Sequence, residues 1–299
     1  MKKYINQFIL AIKLANYQRL RKRRTPQRLA YQKWVAENES FNEEQIALLK
    51  SRYAALEQTP LISIIMPVYN AQIDWLKDAV SSVQNQVYKN WELCIADDKS
   101  SNEKLKPYLL SLAEQDPRIK VCFRPRNGHI SAASNSAIEM ANGDFLALMD
   151  QDDLIPPNAL LLVAEKINNH PTAGIIYSDE DKVNADNLRE APTRKPGWDR
   201  NAILKYNSIS HLGVFKTQLV RDIGGFKVGY EGSQDHDLAL RCIEHLSDEQ
   251  IIHIPEILYH WRIHADSTAH MQSAKPYALN ARNRAIQDHI SRTKNKSRI

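Results

Sequence analysis

Phe145-Leu-Ala-Leu-Met149, followed at once by Asp150-Gln-Asp-Asp153, is the stretch from which the fold can be inferred. The apolar run, opened by Gly143-Asp144, has the length of a buried strand, so the carboxylates follow a strand's C-terminal end. In an open α/β sheet, ligands bind at that edge. Three carboxylates within four residues repel one another unless a cation is present, and Mg²⁺ or Mn²⁺ prefers oxygen ligands. A solvated acidic turn is the alternative for this segment taken alone.

Short apolar runs with helix-like segments between them extend this pattern to most of the chain. The runs cover residues 61–66, 91–96, 119–123 and 145–149, and the segments 75–84 and 129–141 have helical spacing. Strands that alternate with helices predict an α/β fold with a Rossmann-like, mostly parallel sheet flanked by helices. A further strand is expected at 174–178, an irregular region at 179–210, and later strands at 251–254 and 257–262.

Breaks in the pattern predict three parts. Thr59-Pro60 interrupts the chain before the first strand, which gives a helical N-terminal extension over residues 1–58. The sheet domain then spans 59–273, and a C-terminal helix with a basic tail spans 274–299. The 299 residues, 43% hydrophobic and 25% charged, are typical of a globular protein. Neither a membrane-spanning apolar stretch nor a signal peptide is evident, which predicts a cytoplasmic protein or one bound to the cytosolic face of a membrane.

The N-terminal tail carries the positive charge. The net charge is +5, but residues 1–33 hold ten Lys or Arg and no acid, so the remainder is acidic. Apolar residues recur there at roughly helical spacing, which is typical of an amphipathic helix on an anionic membrane surface. We therefore expect membrane contact through residues 1–33. Nucleic-acid binding and a plain solvated helix are the alternatives, and we expect no nucleic-acid partner.

Polar residues follow each of the four predicted parallel strands. They are Pro67-Val-Tyr-Asn70, Asp97-Asp98, Arg124-Pro-Arg-Asn-Gly128 and the acidic cluster. Parallel strands bring these ends to one edge, which predicts a single site. Asp98 could accept hydrogen bonds from a base or ribose, and Tyr69 could lie against the base. Each segment alone is also an ordinary turn or helix cap.

These segments, with several motifs in the expected order, resemble the family 2 glycosyltransferases of the GT-A fold, which are inverting and use nucleotide-sugar donors. The resemblance covers residues 31 to about 285 and is greatest to the bacterial branch that makes O-antigen and other surface polysaccharides. The motifs are Tyr31-Gln-Lys-Trp34, Gly128-His-Ile-Ser-Ala-Ala-Ser-Asn135, Tyr177-Ser-Asp-Glu-Asp-Lys182, Lys195-Pro-Gly-Trp198, Gly232-Ser-Gln-Asp235 and Tyr259-His-Trp-Arg262.

The resemblance implies roles for individual residues. Asp150 and Asp152 match the metal-binding pair, with His264 as a further metal ligand, and the metal is Mn²⁺ or Mg²⁺. Asp235 matches the general base that deprotonates the acceptor hydroxyl. The implied donor contacts are Pro67, Tyr69, Asn70, Asp98, Asn127, Ser131, Asn135, Asp150 and Gln151, and the acceptor contacts are Asp179, Trp198, His211 and Gln234. Gln234 departs from the family pattern, since many relatives have Glu there. The role of Asp153 is left open.

The expected function is therefore metal-dependent, inverting transfer of a sugar from a nucleotide-diphosphate sugar to a hydroxyl of a glycan or lipid-linked acceptor. The expected location is peripheral, on the cytosolic face of the bacterial inner membrane. One alternative is a nucleotidyltransferase, although Pro67-Val-Tyr-Asn70 has no glycine for a phosphate loop. The other is an inactive glycan-assembly subunit, against which the retained Asp98, Asp150, Asp152 and Asp235 argue.

Overall fold

The computed structural model describes residues 26–184, 186–263 and 276–296. Its helices are α1 (26–38), α2 (Glu43–Ala54), α3 (Ile73–Gln84), α4 (Leu105–Gln115), α5 (His129–Met140), α6 (Ala159–Asn169), α7 (Thr217–Asp222), α8 (Gln234–Ile243) and α9 (Pro276–Lys296). Its strands are β1 (Ile62–Val68), β2 (Trp91–Asp97), β3 (Ile119–Phe123), β4 (Phe145–Leu148), β5 (Ile175–Val183), β6 (Arg189–Thr193), β7 (Gly213–Lys216) and β8 (Ile251–Arg262).

The strands form one mixed sheet in the order β3-β2-β1-β4-β7-β5-β6, with β8 paired to the other edge of β5. β1 to β4 are parallel, as the alternating pattern predicts. The pairs β4–β7, β7–β5 and β5–β6 are antiparallel. β5 and β8 run parallel along nearly their whole length. The first four strands thus end at one edge, where the polar residues gather.

Helices cover both faces of the sheet. On one face, α3 buries Leu76, Ala79, Val80 and Val83, which is the i, i+3, i+4, i+7 stripe of an amphipathic helix. On the other face, α5 and α8 pack around Ala137 and Leu240. Gly143 opens β4 because a Cβ there would lie 2.6 Å from the Leu61 carbonyl oxygen. The backbone at Leu61, just before β1, therefore lies directly against Gly143, where the chain enters the apolar run 145–149.

The region expected to be irregular after residue 178 is instead regular up to residue 193. β5 continues to Val183, and β6 returns along it. Asp179 and Asp181 of β5 are buried, at positions where a strand usually carries apolar side chains. Histidines of β8 satisfy them: His253 bonds Asp179 at 2.8 Å and His260 bonds Asp181 at 2.6 Å. Buried carboxylates are tolerated when paired in this way.

Both ends of the chain lie partly outside the described ranges. The predicted membrane segment, residues 1–33, is described only from residue 26. α2 packs on the sheet domain through buried Leu49 and a two-pronged Arg52–Glu165 ion pair. Among helices in the described ranges, none has the length and apolarity to cross a bilayer.

Candidate active site

A cleft of about 1060 Å³ opens at the C-terminal ends of the parallel strands. Its volume is at the upper end for small-molecule sites. One wall comes from the loops after β1, β2 and β3, with Tyr69 and Asp98. The floor carries the loop after β4, and the opposite wall carries the start of α8 and the first turns of α9. The cleft therefore lies at the edge that the strand order predicts.

The acidic loop, residues 150–154, presents Asp150 and Asp152 to this cleft. Burial raises the pKa of Asp150 to about 6; positive His211 opposes this, while Asp152 and Asp235 add to it by repulsion. Gln151 fixes the neighbouring loop, since its side-chain oxygen accepts the Tyr69 N–H at 2.8 Å. A desolvated carboxylate with a second acid beside it at a cleft is chemically suited to a divalent cation.

Asp153 has a different environment, which resolves its open role. Only 1% exposed, it accepts a hydrogen bond from the Tyr259 hydroxyl at 2.6 Å and another from the Arg262 backbone N–H at 2.7 Å. Burial, together with Asp152 and Asp150, raises its pKa well above the usual range. Asp153 therefore anchors the acidic loop to β8 and does not face the cleft.

The donor set fits Mg²⁺ or Mn²⁺ through Asp150 and Asp152. Within the ranges that the structure describes, three or more His, Cys, Asp or Glu do not gather as a complete metal site. Mg²⁺ commonly uses one or two protein carboxylates and completes its shell with water and substrate phosphates. The predicted third ligand, His264, lies outside the described residues.

Asp235 lines the same cleft from the first turn of α8. A carboxylate there is favoured by the helix dipole. The Asn207 side-chain amide donates to Asp235 Oδ2 at 2.9 Å, and the Asn207 oxygen accepts the Ile209 N–H at 3.3 Å. The amide is thus oriented so that its nitrogen faces the carboxylate. Gln234 also lines the cleft, although its oxygen accepts the Gly232 N–H.

The predicted donor residues divide into two groups. Pro67, Tyr69, Asp98, Asn127, Asp150 and Gln151 line the cleft. Asp98 is 2% exposed, and its carboxylate already forms an ion pair with Arg124, whose Nε lies 2.8 Å away, and accepts a hydrogen bond from the Gly128 N–H. The predicted contact with a base or ribose would have to use the carboxylate lone pairs of Asp98 that Arg124 and Gly128 leave free.

Asn70, Ser131 and Asn135 do not line the cleft, and their expected role as donor contacts stays a prediction. The Asn70 side-chain oxygen caps the 101–102 turn. Ser131 is fully buried, and Asn135 exchanges two hydrogen bonds with the Phe226 backbone. Helix α5 is rotated so that Ile130, Ala133 and Ser134 face the site instead.

His211 is the predicted acceptor residue whose surroundings are most distinctive. Its backbone N–H and ring Nδ1 both bond Glu180 Oε2, at 2.7 and 2.9 Å. Burial alone would lower the pKa of His211, but Glu180, aided by Asp153 and Asp150, raises it to about 9. The ring stacks on Tyr259 with centroids 4.7 Å apart. His211 is therefore a cation at the cleft floor at neutral pH.

Asp179 and Trp198 do not line the cleft, and their expected role as acceptor contacts stays a prediction. Asp179 is 1% exposed and is occupied by His253 and the Lys195 N–H. The Trp198 indole donates to Asp248 at 2.8 Å and packs on the core face away from the cleft. Lys195, between them in sequence, does line the cleft, but its ammonium donates to three backbone carbonyls.

Several site residues were not predicted from sequence. Asn207 has no distinctive motif around it, and Tyr206, Tyr277 and Arg282 reach the cleft from distant segments. The motif at 259–262 was recognised without a role, although Tyr259 and Arg262 hold the acidic loop. The feature that could have identified Tyr259 is an aromatic hydroxyl on a strand that ends near buried acids.

Comparison with known proteins is consistent with this geometry. The sequence model of glycosyl transferase family 2 matches residues 63–224, slightly more than half of the chain. The O-antigen biosynthesis protein RfbC of Myxococcus xanthus is 32% identical over 88% of this chain, and the hyaluronan synthase of Pasteurella multocida is 27% identical over 74%. The chain spans only 20% and 22% of the length of those relatives.

A solved structure supports the fold. The crystal structure of S. aureus TarS residues 1–349 in complex with UDP-GlcNAc aligns with a TM-score of 0.59 at 21% identity, over 72% of this chain and 61% of that chain. That neighbour has the GT-A architecture, and at this identity the likeness establishes the fold alone. With the family match over residues 63–224, the chain belongs to glycosyl transferase family 2.

Proposed function

We propose that the chain is an inverting glycosyltransferase that moves a sugar from a nucleotide-diphosphate sugar to a hydroxyl of a glycan or lipid-linked acceptor in surface polysaccharide synthesis. The observation that carries the proposal is the placement of Asp150, Asp152 and Asp235 around one cleft at the strand ends. A transfer reaction needs a charge-stabilising group at the leaving diphosphate and a base at the acceptor. Asp150 and Asp152 would hold a cation that supplies the first, and Asp235 supplies the second, from two sides of one space.

The chain's own residues have distinct roles in this mechanism. Asp235 accepts the proton of the acceptor hydroxyl as that oxygen attacks the anomeric carbon from the face opposite the diphosphate. Asn207 holds one oxygen of Asp235, which leaves the other for the hydroxyl. Asp150 and Asp152 would hold the divalent cation, which when bound supplies positive charge against the departing diphosphate. Tyr69 and Asp98 lie where the nucleoside would bind.

The location is part of the same proposal. A lipid-linked acceptor is presented at a membrane surface, and the basic segment of residues 1–33 matches an anionic headgroup layer on the cytosolic face of the inner membrane. Truncation of residues 1–24 should release the protein from anionic vesicles while hydrolysis of the donor persists. Equal sedimentation of both forms with the vesicles would contradict the membrane assignment.

A donor screen tests the reaction. The full chain is incubated with a panel of nucleotide-diphosphate sugars and Mn²⁺ or Mg²⁺, and nucleoside diphosphate release and thermal shift are measured. We expect one base and sugar to stabilise the protein and to be hydrolysed slowly, and Asp150→Asn to abolish the cation dependence of both. Binding without turnover of any donor, with or without glycan acceptors, would favour the inactive assembly subunit.

A further inference from the structure

The N-terminal helix α1 is joined to the sheet domain by a buried polar network, and the proposed reaction gives that network no role. The centre of the network is Asp181 of β5, which is fully buried. Its carboxylate accepts from the Tyr31 hydroxyl at 2.7 Å, from Arg189 Nε at 2.6 Å and from His260 Nδ1 at 2.6 Å. A buried carboxylate with three donors is costly to assemble and is rigid once assembled.

The α1 side of the network has several contacts. Arg189 also reaches Glu39 at 2.5 Å, and Arg28 pairs with Glu190 at 2.8 Å. The rings of Tyr31 and Trp34 stack with centroids 5.8 Å apart. α1 and the residues that follow it are therefore fastened to the β5–β6 hairpin by paired charges and by Arg189, whose guanidinium lies over the Tyr31 ring, 6.0 Å from its centroid.

The other side of the network leads to the acidic loop. His260 bonds Asp181 through its ring, and its backbone exchanges two hydrogen bonds with Leu154, at 2.8 and 3.1 Å. Neighbouring residues of β8, beginning with Tyr259, hold the rest of the loop. The Tyr259 hydroxyl bonds Asp153 and accepts the Asp150 N–H at 3.1 Å.

Arg262 provides a second connection. It is 1% exposed, and its Nε donates to the Asp152 carbonyl oxygen at 2.7 Å. Its Nη1 donates to Asn187 in the turn of the β5–β6 hairpin at 2.8 Å. The hairpin that α1 holds is thus in direct contact with the arginine that holds the backbone of Asp152.

We propose that Tyr31 and Asp181 are positioning residues for the acidic loop, so that docking of α1 sets the geometry in which Asp150 and Asp152 bind a divalent cation. This inference rests on the proposed function for the identity of the cation site. Three motifs that are far apart in sequence, around residues 31, 181 and 260, meet at this one carboxylate. Residues that orient metal ligands from outside the coordination shell commonly change metal affinity by about tenfold to a hundredfold.

The proposal depends on how rigidly β8 holds the acidic loop. The acidic loop has backbone bonds to β8, so its carboxylates can be no better ordered than the end of that strand. β8 in this region pairs with β5 on one side and contacts the loop on the other, and the Asp181–His260 bond ties the His260 side chain to β5. Removal of the Tyr31 hydroxyl leaves Asp181 with an unsatisfied acceptor site that its remaining partners must shift to cover, which moves His260.

The test measures Mn²⁺ binding to the full chain by electron paramagnetic resonance of the free ion, without donor or acceptor. Tyr31→Phe removes one hydroxyl and keeps the ring. We expect the Mn²⁺ dissociation constant to rise about threefold to tenfold. Tyr108→Phe on α4 is the matched control, because Tyr108 is a half-buried tyrosine outside this network; the Mn²⁺ dissociation constant of that variant should equal that of the unaltered chain. Asp181→Asn should have a larger effect than Tyr31→Phe.

The outcomes are separable from those of the reaction itself. A Tyr31→Phe protein that melts at a lower temperature but binds Mn²⁺ as tightly as the control would reduce the network to a structural role and overturn the inference. Mn²⁺ binding that is weak in the unaltered chain and unaffected by Asp150→Asn would instead refute the cation site, and this inference with it. Donor hydrolysis in the variants, measured at saturating Mn²⁺, should recover towards the unaltered value because only affinity for the ion is reduced.

Discussion

Two buried tyrosines in adjacent strands give a sharp test of the site's hydrogen bonding. Tyr259 of β8 and Tyr177 of β5 are both fully buried. The Tyr259 hydroxyl donates to Asp153 and accepts from the Asp150 N–H. The Tyr177 hydroxyl is buried and has no hydrogen-bond partner within the described ranges. The same substitution, Tyr→Phe, therefore removes two hydrogen bonds in one case and relieves an unsatisfied group in the other.

The expected magnitudes follow from these contacts. Tyr259→Phe loses a bond to a carboxyl group whose raised pKa favours the neutral form, typically about 0.5–1.5 kcal/mol, and leaves a backbone N–H unpaired at about 1–3 kcal/mol more. We expect the free energy of unfolding to fall by about 3 kcal/mol and the melting temperature by roughly 6–10 °C. Tyr177→Phe should leave the free energy of unfolding unchanged or raise it by up to about 1 kcal/mol, because the ring and its stacking partner are kept.

The assay is thermal and urea unfolding of both variants beside the unaltered chain, followed by circular dichroism. A change in the urea midpoint without a change in slope would attribute the effect to stability. Equal destabilisation by the two substitutions, or a greater loss in Tyr177→Phe, would refute the inference that the hydroxyl of Tyr259 anchors the acidic loop.

Two further predictions concern the base and the C-terminal helix. Asn207→Ala should lower kcat about tenfold, the value of one hydrogen bond to a charged group, with the donor KM unchanged; the exposed Asn201→Ala is the control, and equal kcat values would contradict the role of Asn207. The second prediction concerns Glu244, which is hydrogen-bonded by His289 and Arg292 of α9. Burial would raise its pKa, but those bonds lower it to about 2, so its stabilisation is present above pH 4.5 and is lost as pH falls towards 2. Glu244→Gln should cost about 2 kcal/mol at pH 7, after allowance for screening, and nothing near pH 2; a constant difference in melting temperature across that range would refute it.

The sequence was sufficient to predict the parallel half of the fold. The runs that became β1 to β4 are within two residues of their predicted bounds because each is a short apolar segment between turn residues. Asp150 could be placed at the sheet edge for the same reason, because it directly follows a strand, whereas Asp235 was expected in the same site only through the family resemblance.

The remaining differences depend on contacts that are distant in sequence. Asp179 and Asp181 fall in a region expected to be irregular, because their histidine partners lie more than 70 residues away on β8. Ser131 and Asn135 belong to a correctly predicted helix, but the rotation of α5 against the sheet is set by packing, which a motif does not encode. Tyr31 is 150 residues from Asp181, so its network is visible only in three dimensions.

The central claim is that Asp235 is the base of a glycosyl transfer reaction in this cleft. The most direct measurement compares Asp235→Asn with the unaltered chain for nucleoside diphosphate release from the donor found in the screen, with donor binding measured in parallel by calorimetry. We expect the variant to bind the donor with the same dissociation constant but to turn it over at least about a hundredfold more slowly, the usual contribution of a general base. Turnover at the unaltered rate would contradict it.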